Sequence, residues 1–175
     1  MDLRSKDYKI FEMFNKDWAL VTAGNLDDFG SCTLSWGSLG NIWDASSKGS
    51  RATVTVYVHP ARYTSQYLLS NEFFTLSFFP EEYRKALSYM GSHSGRDDEH
   101  KAVTAGLTPI AIGESVTFKE AKQTFLCRKI YQGQFQKENL AADIQEYYAA
   151  SPKVFPDFKG GWQPHIIFMG EIINL

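Results

Sequence analysis

Between Ser31 and Lys101 the chain carries three short segments whose hydroxyl, imidazole, guanidinium and amino groups could do chemistry. The first is Ser31-Cys-Thr-Leu-Ser-Trp-Gly37. A strand with alternate small hydroxyls, then Trp and Gly, can bring main-chain N–H groups, Thr33 and Ser35 beside a planar polar ring. The second is Pro60-Ala-Arg-Tyr-Thr64. It places Arg62 and Thr64 in the first turn of a predicted helix, where free N–H groups and the dipole favour an anion. An arginine fork also matches phosphate oxygens bidentately. The third is Gly91-Ser-His-Ser-Gly-Arg-Asp97, with Lys101 just beyond. Ser92, His93, Ser94 and Arg96 around a glycine that lets backbone approach a ligand have the composition of a phosphate cradle. Each segment also has a plainer reading: a half-exposed strand and turn, a surface arginine, and a solvated loop entering a helix.

Other chemistries lack their signatures. The chain has no G-x-G-x-x-G and no Walker loop. Gly91-Ser-His-Ser-Gly95 has the outline of a nucleophile elbow, but His93 stands at the nucleophile position and a helix precedes it. His93, Asp97 and His100 match no common metal-ligand spacing, so a solvated helix start is the better reading and no metal is expected. Cys32 and Cys127 form no Cys-x-x-Cys pair and read as reduced thiols of a cytoplasmic protein.

Composition bounds the rest. A chain of 175 residues with 43% apolar and 22% charged residues reads as one folded domain. Eighteen basic against 20 acidic residues, net −2, disfavours a duplex nucleic-acid binder. No apolar run reaches the roughly 18 residues that span a bilayer, and the N-terminus does not read as a signal peptide. Aromatics are abundant, with 13 Phe, 9 Tyr and 4 Trp. They suit half-buried pleated surfaces and also stacking on a flat ligand.

The elements that must position these groups are mostly short strands. Strands are predicted over Trp18–Thr22, Ser31–Trp36, Arg51–Val58, Phe73–Phe79, Thr124–Phe135 (with Gly133 as a bulge) and His165–Ile173. The last is apolar on both faces and reads as central. Helices are predicted over Ala61–Ser70, Glu81–Met90, Asp97–Ala105 with Gly106 as its cap, and Glu138–Tyr148 with Leu140, Ile144 and Tyr147 on its apolar face. A proline- and glycine-marked loop follows over 152–164. The pattern is a strand-rich α+β domain, not an alternating βαβ chain.

The order of the segments resembles the flavin reductase-like FMN-binding family, and within it the flavoredoxin-type subgroup. The resembling stretches are Trp18-Ala-Leu-Val-Thr-Ala-Gly24, Thr33-Leu-Ser-Trp-Gly37, Thr55-Val-Tyr-Val-His-Pro-Ala-Arg-Tyr-Thr64, Phe73-Phe-Thr-Leu-Ser-Phe78, Ser92-His-Ser-Gly-Arg-Asp97, Ala105-Gly-Leu-Thr-Pro109, Leu126-Cys-Arg128 and Met169-Gly-Glu-Ile172. They run from about residue 15 to the C-terminus. The resemblance implies a mainly β split barrel with short inserted helices, one domain over 1–175 with residues 1–14 as an N-terminal extension. It implies noncovalent FMN in a homodimer, with flavin near the subunit interface. Thr33, Leu34, Ser35 and Trp36 look like the strand facing the flavin ring and ribityl chain. Arg62 and Thr64, then Ser92, His93, Ser94, Arg96 and Lys101, look like the phosphate side. His165 resembles a histidine before the last strand near the flavin and is the single catalytic candidate.

The activity implied is an NAD(P)H-dependent flavin reductase, with hydride passing from NADH or NADPH to flavin N5. The alternative is a flavoredoxin-like FMN electron carrier serving a redox protein partner, without free-flavin reductase activity. A third reading is a split barrel that has lost flavin and binds another flat ligand. Neither nucleic acid nor membrane is expected as a partner. Three features depart from the family: Cys32 where a Met is usual, His59 where the subgroup often has Arg, and a polar link between Trp43 and Ala52.

Overall fold

The structure, a computed structural model, describes residues 5–44 and 49–174. Residues 45–48 of the polar link between Trp43 and Ala52 therefore lie outside the described residues. The chain forms β1 (Ala19–Gly24), β2 (Phe29–Leu34), β3 (Gly37–Asp44), β4 (Ser50–Val58), β5 (Phe73–Phe78), β6 (Pro109–Ile112), β7 (Ser115–Phe118), β8 (Gln123–Gln134) and β9 (Ile166–Ile172). The helices are α1 (Ile10–Glu12), α2 (Thr64–Ser70), α3 (Arg84–Ser92), α4 (Lys101–Thr104) and α5 (Ala142–Ala149).

Seven strands pair in the order β2-β1-β5-β8-β9-β4-β3, all antiparallel. The two edges of this sheet, β2 and β3, are consecutive in sequence and separated only by Ser35 and Trp36. Laid flat, seven strands would hold their edges about 29 Å apart. Three Cα steps from Leu34 to Gly37 reach at most about 11 Å. The sheet must therefore curl until its edges nearly meet, an open barrel whose split is bridged by Ser35-Trp36.

Alternation along the central strands fills this barrel. Ala19, Val21 and Ala23 of β1 join Phe74, Leu76 and Phe78 of β5, Phe125 and Cys127 of β8, Phe168 of β9, and Val54 and Val56 of β4 in one core. Phe14 is buried in it too, edge-on to Phe78 at 5.6 Å, so the N-terminal segment is part of the packing. The opposite face of β5 carries Thr75 and Ser77. Thr75 donates to the Val116 carbonyl at 2.5 Å, and Ser77 meets Thr117 at 2.9 Å, docking the separate β6–β7 ribbon. Leu20, also on that second face, joins Phe79, Ala86, Leu87, Met90 and Phe118 in a smaller cluster beneath α3. Glu171 of β9 accepts from Arg51 and Arg128, each at 2.7 Å, and ties β4, β9 and β8 together.

Several elements differ from the sequence reading. The helix predicted over Ala61–Ser70 begins at Thr64, because Pro60 opens a turn in which Arg62 N–H donates to the His59 carbonyl at 2.9 Å. Glu81–Tyr83 is a tighter turn leading into α3. The helix predicted over Asp97–Ala105 shortens to α4, because the Ser94 carbonyl takes the Asp97 and Asp98 N–H groups in a preceding turn. Its end follows the prediction: Gly106 at φ +81° and Leu107 return N–H bonds to Val103 and Ala102. In α5 the buried residue is Tyr148, while Ile144 and Tyr147 are exposed, since the helix rests on a loop rather than on the sheet. The irregularity of β8 lies between Lys129 and Tyr131, not at Gly133. Strands β3, β6 and β7 carry no sequence signal; β3 is an edge strand with an exposed outer half and shows no alternation. β9 is central, as its apolar faces indicate.

The close approach of β9 to the core gives a test. A Cβ on Gly170 would sit 2.6 Å from both the Phe74 ring and Cys127 Cβ, which are fully enclosed. Gly170→Ala is expected to destabilise the fold by roughly 1–3 kcal/mol, the range for overpacking. Thermal unfolding should register this as a lower midpoint; an unchanged midpoint would mean that the barrel interior yields there.

Candidate functional site

Two adjoining cavities open at the split of the barrel. The first, about 440 Å³, is walled by Thr33 to Trp36 across the edge link, by Tyr57 and Val58 at the end of β4, by Leu87 and Gly91 of α3, and by Tyr147, Phe155 and His165. The second, about 390 Å³, is walled by Arg62, Thr64, Ser92 to Arg96, Lys101 and Lys153. Cys32, His59, Arg62, Gly91, Ser92 and Val154 line both. Each volume lies in the range of roughly 300–1,000 Å³ common to small-molecule sites. The structure brings every candidate together: Thr33, Leu34, Ser35, Trp36 and His165 on the first cavity, Thr64, His93, Ser94, Arg96 and Lys101 on the second, Arg62 and Ser92 on both.

The C-terminal end of α3 organises the second cavity. Its cluster of Ala86, Leu87 and Met90 fixes the helix on the barrel. Thr33 donates to the Leu87 carbonyl at 2.5 Å, so this hydroxyl clamps α3 to β2 rather than standing free. A Cβ on Gly91 would meet Thr33 Cβ at 3.2 Å, so glycine permits the approach. Beyond the clamp, main-chain carbonyls at the end of α3 and in the turn after it hold cations. Arg62 donates to Gly91, and Lys101 donates to Met90 at 3.1 Å and to His93 at 3.0 Å. Arg96 lies over the Tyr63 ring at 5.0 Å, near the Ala61 carbonyl. Carbonyls orient these groups without neutralising them. No carboxylate lines the second cavity, and among the described residues none of Arg62, Arg96, Lys101 and Lys153 is ion-paired. Burial lowers the Lys101 ammonium pKa; Cys32 and Asp98 oppose this and Arg62 adds to it.

Ser92 and His93 are partly committed. Ser92 donates to the Ser88 carbonyl at 2.9 Å. His93 Nδ1 donates to the Tyr89 carbonyl at 3.2 Å, and its ring stacks on Tyr89 at 3.7 Å. His93 Nδ1 also meets Ser92 Oγ at 3.0 Å. Arg62 precedes α2 instead of sitting in its first turn, so its side chain, and not a helix end, carries the anion-binding capacity.

The first cavity ends in a cluster of rings that the sequence reading assembled only in part. His165 packs 4.5 Å from Trp36, 5.3 Å from Phe155 and 5.4 Å from His59. Phe155 belongs to the loop after α5, and its neighbours Lys153, Val154 and Pro156 line the second cavity. The sequence alone assigns that loop no function; its signal is a large aromatic between two prolines, Pro152 and Pro156. His59 accepts from the Ala61 N–H at 3.2 Å. Tyr148 meets His165 Nδ1 at 2.5 Å and accepts from the His165 main-chain N–H at 3.3 Å. Burial, then His59, then Arg62 push the His165 pKa down to about 3. Burial also lowers His59; a Gln163 carbonyl opposes this and Arg62 adds to it. His165 is therefore a neutral imidazole, able to donate an N–H bond but not to serve as an imidazolium acid near neutral pH.

These neutral rings make stability depend on pH with a definite sign. Unfolded histidines titrate near 6.5, so below about pH 6.5 the unfolded chain takes up protons that the folded chain refuses. Stability is expected to fall as pH drops from 6.5 towards 5, with His165 contributing up to about 1.4 kcal/mol per pH unit. Urea midpoints at pH 7, 6 and 5 should show a shallower decline in His165→Gln; an unchanged slope would show that the ring protonates in place.

No protein-family model matches the sequence, and no curated protein matches it either. Solved structures do. The FMN-binding domain of a flavin reductases-like enzyme from Shewanella baltica OS155 aligns over 94% of this chain and 70% of its own, at 14% identity and TM-score 0.60. Flavoredoxin from Methanosarcina acetivorans aligns over 90% of this chain and 66% of its own, at 18% identity and TM-score 0.63. The NADH:FAD oxidoreductase SgcE6 of Streptomyces globisporus C-1027, in complex with NAD and FAD fragments, aligns over 90% of this chain and 72% of its own, at 16% identity and TM-score 0.56. This chain spans about two thirds of the length of the flavoredoxin. The open antiparallel barrel with short helices is the split-barrel fold of the flavin reductase-like proteins.

Proposed function

We propose that the chain binds FMN noncovalently and works as an NAD(P)H-dependent flavin reductase of the cytoplasm. The observation that carries this reading is the pairing of the two cavities. One is walled by Trp36, Tyr57 and Phe155 and suits a flat ring. The other presents Arg62, Arg96, Lys101 and Lys153 with no carboxylate and suits a phosphate dianion. Arg62 stands at their junction. Ring and phosphate on one molecule, joined by a short polar chain, are the chemistry such a pair selects. The likeness to FMN-binding, flavoredoxin and NADH:FAD oxidoreductase structures supports the same reading.

When bound, the flavin would supply the ring that accepts hydride and hands electrons on. The protein's residues supply the setting. Arg62, Arg96, Lys101 and Lys153 would hold the phosphate. Every second N–H of the edge strand β2 points away from its single partner, β1, and such preorganised dipoles stabilise negative charge on a bound ring. Trp36 and Phe155 would exclude water from its face. A homodimer with the site near the subunit interface belongs to the same reading, and a dimer mass by light scattering is its expected sign.

Titration of the purified protein should show FMN binding. Arg96→Ala should weaken it by about 1.5–3 kcal/mol, the worth of a charge-assisted hydrogen bond, or roughly ten- to a hundredfold in Kd. Unchanged affinity would remove Arg96 from the site. Steady oxidation of NADH or NADPH with excess free FMN is expected of the reductase. The likeness to flavoredoxin keeps one other reading, an electron carrier for a redox protein. In that case the bound flavin alone would be reduced, once, and free FMN would not turn over.

A further inference from the structure

We infer that Tyr148 is a positioning residue, whose hydroxyl holds His165 in the tautomer that presents an Nε2–H donor at the wall of the ring cavity. The argument starts from the proton count at one oxygen. Tyr148 Oη has two partners among the described residues, the His165 main-chain N–H at 3.3 Å and His165 Nδ1 at 2.5 Å. The main-chain N–H can only donate, so it occupies a lone pair of the oxygen. The phenol proton then has Nδ1 as its acceptor, and Nδ1 must be unprotonated. In a neutral imidazole that leaves the proton on Nε2. The tyrosine keeps its own proton, because burial raises its pKa; the His165 N–H opposes this and Tyr147 adds to it.

The surroundings fix this arrangement. Tyr148 is the single buried residue of α5 and stacks on Trp162 at 5.3 Å with the planes 10° apart. His165 in turn is wedged among Trp36, Phe155 and His59 and lines the first cavity. A donor fixed there selects a flat heteroaromatic ring that carries acceptor atoms on its edge. That this ring belongs to a flavin rests on the function proposed above; the tautomer does not.

The test reads the histidine rings directly. Long-range proton–nitrogen NMR of the 15N-labelled wild type at pH 7 is expected to show His165 protonated at Nε2 alone. Tyr148→Phe is expected to give a mixed or Nδ1-protonated ring and to weaken FMN binding about three- to tenfold, the worth of one neutral hydrogen bond. His165→Gln places an amide N–H where Nε2–H stood and should retain most of the FMN affinity that His165→Ala loses. An Nδ1-protonated ring in the wild type, or a tautomer unaltered in Tyr148→Phe, would overturn the inference. So would FMN affinity equal in wild type, Tyr148→Phe and His165→Ala. Should Tyr148→Phe not fold, the wild-type tautomer and the two His165 variants decide. A wild type that takes up no FMN would overturn the flavin reading, while the tautomer still decides the role of Tyr148.

Discussion

Two residues, Ser35 and Trp36, join the opposite edges of a seven-stranded sheet, and the rest of the molecule follows from that short link. A connection this short between edge strands is possible only if the sheet curls. Curling gives one interior, filled by the phenylalanines and valines of β1, β4, β5, β8 and β9. It also leaves a seam where β2 has a single strand partner and its outer N–H and C=O groups lack one. An unsealed seam invites pairing with another chain. Here α3 packs along β2, the Ser35-Trp36 link crosses the seam, and the two cavities occupy what remains.

The second constraint is electrostatic. The end of α3 carries main-chain carbonyls with no helical partner and the negative pole of the helix dipole. Lys101 and Arg62 donate to those carbonyls, which carry no full negative charge to pair with them. Carboxylates in the same place would have held the side chains as firmly and cancelled them. Burying one face of α3 in the small apolar cluster therefore does two things at once. It stabilises the fold, and it plants basic side chains that no salt bridge holds beside an aromatic slot.

The aromatic wall is built differently, from pieces far apart in sequence. Trp36 comes from the edge link, His59 from the end of β4, Tyr148 from α5, Phe155 from the following loop and His165 from the start of β9. The loop touches the sheet at β8, where Gln134 donates to the Pro164 carbonyl at 2.8 Å. The order of α5 and the loop comes also from ring stacking and from the bond between Tyr148 and His165, which couples the geometry of the slot to a helix that otherwise faces solvent.

The sequence by itself determined β1, β2, β4, β5, β8 and β9, because alternation on a half-buried pleat, or a short run apolar on both faces in a central strand, is written locally into the side chains. It also determined the three polar segments of the site, because hydroxyls, glycines and basic residues within a few positions are a local property. Ser35, Arg62 and Arg96 could be named on that basis, whereas Leu34 is named only by the resemblance. What the sequence left undetermined has a common cause: the deciding contact was distant. Edge strand β3 has no alternation because its outer half faces solvent. Ribbon strands β6 and β7 are four residues each, below the length at which a period shows. The apolar face of α5 was misread because its partner is a loop, so that Tyr148 is buried and Tyr147 is not. The neutrality of His165 arises from burial and from His59 and Arg62, both far away in sequence, and the Thr33 hydroxyl is committed to Leu87, 54 positions away. Residue type fixes which chemistry a side chain can offer; only the folded chain fixes its partner, its solvent and therefore its protonation.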